Sequence, residues 1–229
     1  MAGRLYGIGV GPGDPELLTL KALRLIKESD VIAVPGQIPQ ETVAYKIVEG
    51  ICPEIENKEL LGIHMPMTKE KDVLEKCHAE GVRILCRELE AGKTVSFLTL
   101  GDPAIYSTYF YLHEGVERAG YSAEIVSGVA SFCAAAARLK TSIAMGAQQI
   151  HVIPAYDQAG EALALPGTKI LMKAGRKLSA VREQLKDLPA EVYLVENCGM
   201  EEEHICRGAE NMPETAGYYT LVIVKDKEQ

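Results

Sequence analysis

Short apolar runs alternate along the chain with mixed segments whose apolar positions recur at helical spacing. Residues 5–10, 31–34, 95–100 and 123–126 are mostly apolar or small, and each ends at glycine, Pro-Gly or Ser-Gly. Runs of that length and punctuation predict buried strands. After the first run, Asp14-Pro15 reads as a helix N-cap and first helical position, and Leu17, Leu18, Ala22, Leu25 and Ile26 fall on one face. Residues 42–48, 69–91, 104–118 and 130–139 predict further helices. The longest carries Val73, Leu74, Cys77, Val82, Ile84 and Leu85 as its apolar positions and is broken by Gly92-Lys93. Buried strands that alternate with amphipathic helices argue for an α/β fold with a largely parallel sheet.

The pattern changes in the second half. Residues 150–153, 169–172, 192–195 and 218–224 read as strands, 178–188 as the main helix between them, and 157–167 as a loop or short helix. This predicts two domains: an α/β domain over 1–117 with a mainly parallel sheet, and an α+β domain over 118–229 with a mixed sheet. A length of 229 residues accommodates both.

Charge narrows the partners. Lys plus Arg total 24 against 32 Asp plus Glu, a formal net charge of -8. Proteins that neutralise nucleic-acid phosphates show the opposite balance, so no nucleic acid is expected. The apolar runs are too short for a membrane span, and the first ten residues lack the pattern of a secretory signal, so a cytoplasmic protein with no membrane partner is expected. The six cysteines form no CxxC pair. They read as thiols of a reducing compartment rather than disulfides, and no metal site is expected.

Three strand-end segments carry the candidate chemistry. The first, Gly7-Ile8-Gly9-Val10-Gly11-Pro12-Gly13-Asp14-Pro15, has the wrong spacing for a dinucleotide fingerprint. Counting from Gly7, the third glycine falls on Pro12; counting from Gly9, it falls on Asp14. The second strand also ends in Pro35-Gly36 rather than the acidic residue that holds a ribose. The second segment is Thr99-Leu100-Gly101-Asp102-Pro103-Ala104-Ile105-Tyr106-Ser107. The third is Ser127-Gly128-Val129-Ala130-Ser131, followed by Phe132-Cys133 and four alanines. Ligands of open α/β sheets sit outside the carboxyl ends of strands, where all three lie. Alone, the first two segments also read as tight turns, with Asp14 and Asp102 as caps, and the third as tight helix packing.

Together, GIGVGPGDPELLT, VIAVPG, TLGDPAIYS and SGVASFCAAAARL resemble the tetrapyrrole methylase family, and the similarity continues through KILMKAGR, LVENCG and YYTLVIV. The resemblance implies a two-domain class III methyltransferase-like fold. It implies S-adenosyl-L-methionine as cofactor, released as S-adenosyl-L-homocysteine, bound between the domains. It also implies a tetrapyrrole substrate and a homodimer. Within the family, the GDP and Ala-rich segments are most similar to enzymes methylating C20 of precorrin-2 or cobalt-factor II in cobalamin biosynthesis. Enzymes acting at C11 or C17 usually carry glycine where this chain has Ser107. Those carbons remain alternatives, as does a non-catalytic protein that binds the cofactor or a tetrapyrrole.

By motif, the resemblance assigns cofactor contacts to Pro12, Leu100, Gly101, Asp102, Ile105, Ala130, Ser131 and Met172, with Pro154-Ala155 as a further wall. Asp102 and Tyr106 are the catalytic candidates, Asp102 as base or as ligand-orienting group. Asp14 and Ser107 are expected to border the tetrapyrrole. A polycarboxylate substrate calls for local basic groups despite the acidic surface, and Arg4, Arg138, Lys140, Lys173 and Arg176 are the candidates.

Overall fold

The computed structural model describes residues 2–154, 159–186 and 188–226. The chain forms two compact units, Met1–Ala130 and Ser131–Gln229.

The first unit is built on β1 (Arg4–Gly9), β2 (Val31–Pro35), β3 (Glu59–Ile63), β4 (Thr94–Thr99) and β5 (Ser122–Val126), in the order β3-β2-β4-β1-β5. All neighbours in this sheet are parallel. Helices cover both faces, so the central strands β2 and β4 are buried along nearly their whole length. On one face Ile8, Ile32, Val34 and Leu98 pack with Leu25 and Ile26 of α1 (Leu20–Glu28) and with Tyr45 and Val48 of α2 (Val43–Glu49). On the other, Leu5, Val31, Val95 and Phe97 pack with Leu85 and Leu89 of α3 (Lys71–Glu90) and with Tyr109 and Leu112 of α4 (Tyr109–Arg118).

Four expectations change here. The domain boundary expected after residue 117 falls instead after Ala130, because β5 pairs with β1 and completes the first sheet. Asp14-Pro15 opens only a 3-10 turn, Pro15–Leu17; the α-helix begins at Leu20, where the Thr19 hydroxyl accepts from the Ala22 amide. The helix expected from residue 104 begins at Tyr109. Strand β3 was not expected: it is a half-buried edge strand entered from a 3-10 turn at Pro53–Asn57.

The second unit begins with α5 (Ser131–Leu139). Its sheet comprises β6 (Ile150–Pro154), β7 (Thr168–Met172), β8 (Ala190–Glu196), β9 (His204–Arg207) and β10 (Thr220–Asp226), in the order β6-β7-β10-β8-β9. Strands β6 and β7 are parallel, and the remaining neighbours are antiparallel. The sheet is therefore mixed, as expected. Its core joins Leu171, Leu194, Val222 and Val224 to Leu178, Val181 and Leu185 of α7 (Leu178–Leu185). The short α6 (Ala159–Leu163) lies within the segment expected as loop or short helix. Residues 155–158, including Ala155 of the expected cofactor wall, lie outside the described residues. Lys169, 2% exposed, forms an ion pair with Asp226, whose carboxylate also accepts from the Gly167 amide.

Candidate active site

The parallel arrangement of the first sheet brings the carboxyl ends of β1, β4 and β5 side by side. Here three loops meet backbone to backbone. The loops after β1 and β4 form an antiparallel bridge: the Gly101 amide donates to the Gly11 carbonyl at 2.8 Å, and the Gly11 amide donates to the Gly101 carbonyl at 3.3 Å. A Cβ at Gly9 would lie 2.6 Å from the Gly101 carbonyl oxygen and 2.6 Å from the Gly128 nitrogen. A Cβ at Gly128 would lie 2.2 Å from that carbonyl oxygen. Only hydrogen fits at Gly9 and Gly128, so these glycines serve packing.

Gly101 differs. It has φ of 72°, and a Cβ built on it meets no heavy atom within 4 Å. One side of its peptide is fixed by Gly11, Gly9 and Gly128, while the Cβ direction stays clear. That clear direction leaves room for a ligand to approach the backbone.

Asp102 ties the same loops together. Its Oδ1 accepts from the Ala104 amide at 2.8 Å and its Oδ2 from the Gly128 amide at 3.0 Å. The Ile105 amide donates to the Asp102 carbonyl at 3.2 Å, closing a turn. Tyr106 then takes a left-handed φ of 49° and is 46% exposed. The Ser107 hydroxyl pairs with the Thr99 hydroxyl at 2.9 Å and accepts from the Tyr109 amide at 3.2 Å. These side-chain bonds compete with helical ones, so the helix starts late. Asp14 caps its 3-10 turn, accepting from the Glu16 amide at 2.9 Å.

Of the residues assigned by resemblance, Pro12, Leu100, Gly101, Asp102 and Ile105 lie on the loops that meet at this edge, and Ala130 closes the loop after β5. Ser131 and Met172 belong to the second unit: Ser131 opens α5, and Met172 ends β7, paired with Leu221 and Pro154. Gly9, Gly11 and Gly128 build the site without having been singled out. Their signal was present only as glycine at a strand end, which does not separate a packing role from a ligand role.

In the second unit, the turn after β8 is set by Asn197, at a left-handed φ of 51°, whose amide donates to the Tyr219 carbonyl. Glu203 holds this turn by accepting from the Gly199 amide at 2.7 Å. Arg138 of α5 grips the same carboxylate through Nε at 2.9 and 3.1 Å and through Nη2 at 2.5 Å. This pairing holds the Glu203 carboxyl below its ordinary range. Arg138 thus has a structural partner. Arg4 starts β1 and pairs with Glu124, so it stands at the end of the sheet opposite the loops, about 17 Å away by strand rise. Arg4 does not fit the expected substrate-facing role. Lys173 is left-handed and lies over the Tyr218 ring, Arg176 sits in the 3-10 turn Ala174–Lys177, and Lys140 follows α5 at φ of 56°.

Cys52, Cys198 and Cys206 are buried thiols, Cys77 and Cys86 are half-buried, and Cys133 is exposed. No group of three or more His, Cys, Asp or Glu among the described residues is placed to hold a metal ion. No helix among them is long and apolar enough to cross a membrane.

The family model for tetrapyrrole (corrin/porphyrin) methylases matches residues 4–211. The chain belongs to this family. Among relatives of this chain, the precorrin-2 C(20)-methyltransferase of Sinorhizobium sp. is 30% identical, with 97% of this chain and 95% of that protein covered. The cobalamin biosynthesis protein CobIJ of Mycobacterium bovis is 32% identical over 97% of this chain, but the match covers 46% of that protein. The chain therefore spans about half the length of such curated relatives. The uroporphyrin-III C-methyl transferase of Thermus thermophilus, solved with S-adenosyl homocysteine, superposes with a TM-score of 0.73 at 23% identity, covering 97% of each chain. The two-domain methylase fold is thereby shared.

Proposed function

We propose that this methylase transfers a methyl group from S-adenosyl-L-methionine to C20 of precorrin-2 or cobalt-factor II, a step of cobalamin biosynthesis. The observation that carries the reading is the Gly101 cradle, fixed on one side by Gly11, Gly9 and Gly128 and clear in its Cβ direction. It sits on the segment through which the chain resembles C20-methylating enzymes. The near full-length similarity to a precorrin-2 C(20)-methyltransferase supports the choice of carbon.

Pro12, Leu100, Gly101, Asp102, Ile105, Ala130, Ser131 and Met172 would hold the cofactor. When bound, S-adenosyl-L-methionine supplies an activated methyl on a sulfonium and is released as S-adenosyl-L-homocysteine. What the chain contributes is positioning, since in-line placement of the ring carbon at about 3–3.5 Å accounts for most of the gain. The proton displaced from C20 must then leave. Tyr106, whose side chain is exposed at the site, is the group we assign to pass that proton to solvent. Asp14 and Ser107 border the tetrapyrrole. The enzyme works in the cytoplasm as a homodimer.

Purified protein incubated with methyl-labelled cofactor and either metal-free precorrin-2 or cobalt-factor II, followed by NMR of the product, tests the reading. One label at C20 is expected. Label at C11 or C17 reassigns the carbon, and no transfer to either substrate overturns the proposal.

A further inference from the structure

We propose that Asp102 is a positioning residue: its carboxylate buckles the loop after β4 to the loop after β5, holding Gly101 in the conformation that receives the cofactor. The inference rests on the methylase reading above and concerns how the same site is kept in shape.

Three observations carry it. First, each carboxylate oxygen accepts from a different backbone amide: Ala104 in its own turn and Gly128 across the sheet edge. Neither amide has a backbone acceptor among the described residues, so the carboxylate supplies the acceptor for a part-buried donor at Gly128 and for an exposed one at Ala104. Second, the distance across is set by the absence of side chains. Gly9 and Gly128 let the loops approach so closely that the Asp102 side chain reaches the Gly128 amide at 3.0 Å. Third, Gly101 precedes Asp102 directly and is gripped on its other side by Gly11. The left-handed peptide is thus tied to the loop after β1 through its own backbone, and to the loop after β5 through Asp102. A cofactor that docks against the backbone needs this peptide held before it arrives, since ordering a loop on binding costs affinity.

A base is built differently. It directs a lone pair at the carbon that loses its proton and works within hydrogen-bond reach of it. The Asp102 carboxylate is turned along the sheet edge to bridge two amides of its own fold. The group that handles the C20 proton is then another, and removing the Asp102 charge should change cofactor affinity more than turnover.

The test uses the full chain with Asp102→Asn and Asp102→Ala. Hydrogen exchange without cofactor reads the buckle directly: the Ala104 and Gly128 amides should exchange about 10-fold or more faster in Asp102→Ala, and less so in Asp102→Asn, which keeps one acceptor. Calorimetry with S-adenosyl-L-homocysteine should show a weakening of about 10-fold or more in the same order. At saturating cofactor, kcat should fall far less, and the pH profile of kcat should keep its limbs. Unchanged exchange at Gly128 in both variants overturns the buckle. A kcat loss of about 100-fold or more, with unchanged cofactor affinity and a lost limb in the pH profile, makes Asp102 the base and overturns the proposal. Should Asp102→Ala fail to fold, Asp102→Asn decides alone: its single oxygen can serve only one of the two amides, so faster exchange at Ala104 or at Gly128 supports the buckle and unchanged exchange at both overturns it. Failure of the wild-type protein to bind the cofactor would instead overturn the methylase reading, leaving the exchange arm to judge the buckle.

Discussion

The ring of Tyr109 occupies the place that a side chain on Gly7 would take: a Cβ at Gly7 would fall 2.0 Å from Cε1 of the ring. The first glycine of the glycine-rich segment is therefore a seat for α4 against β1. Tyr109 is fully buried there, and its hydroxyl pairs with Nδ1 of His113 at 3.1 Å. Burial pushes the Tyr109 phenol far above its ordinary range, so it stays protonated.

Gly7→Ala should consequently lower stability by about 1–3 kcal/mol through overpacking, read as a shift in the urea midpoint. Adding Tyr109→Leu should make the Gly7→Ala cost smaller than it is alone, because the obstructing ring is gone and the two sites are in contact. Strict additivity of the two changes would refute the packing assignment.

Gly101→Val and Gly9→Ala should behave oppositely, although both glycines stand in the same cluster. The Gly101 position has a clear Cβ direction, so Gly101→Val should fold, with about 1–2 kcal/mol of left-handed strain, and lose cofactor binding. Gly9→Ala drives a Cβ to 2.6 Å from two backbone atoms and should damage folding itself. Calorimetry with S-adenosyl-L-methionine alongside thermal melts separates them. Wild-type affinity in Gly101→Val would remove this loop from the cofactor site.

Acid should release the turn after β8. The Arg138 guanidinium holds Glu203 below the ordinary carboxylate range in the folded protein. A depressed folded value stabilises above the unfolded pKa, about 4.3, and that stabilisation is lost as pH falls through the folded value. Glu203→Gln should thus be less stable than wild type near neutrality, with the gap closing below about pH 4. Urea midpoints measured from neutrality downward check this; a gap that stays constant would exclude the pair as its source.

Much of the first sheet was legible because its strands are buried on both faces and read as apolar runs ended by Gly or Pro. Edge strand β3, Glu59–Ile63, escaped because half its surface faces outward and its partner β2 lies far back in the chain. Residues 104–108 matched a helix by composition. Asp102 and Ser107 offered their backbone other partners, and helix propensity does not register that competition. Arg4 and Arg138 read as available cations because a sequence does not show Glu124 or Glu203 waiting for them.

By itself, the sequence determined the class of fold, the parallel character of the first sheet, the mixed character of the second and the strand-end loops that carry the family's motifs. These follow from periodicity and punctuation, which are local. Only the tertiary structure decided which glycine faces which neighbour. Gly7 seats Tyr109, Gly9 and Gly128 let two loops touch, and Gly101 leaves its Cβ direction clear. It also decided that the Asp102 carboxylate ends on the Gly128 amide. A glycine records only that a side chain is missing, and a carboxylate only that it can accept. What fills the space and what donates is fixed when distant strands come together.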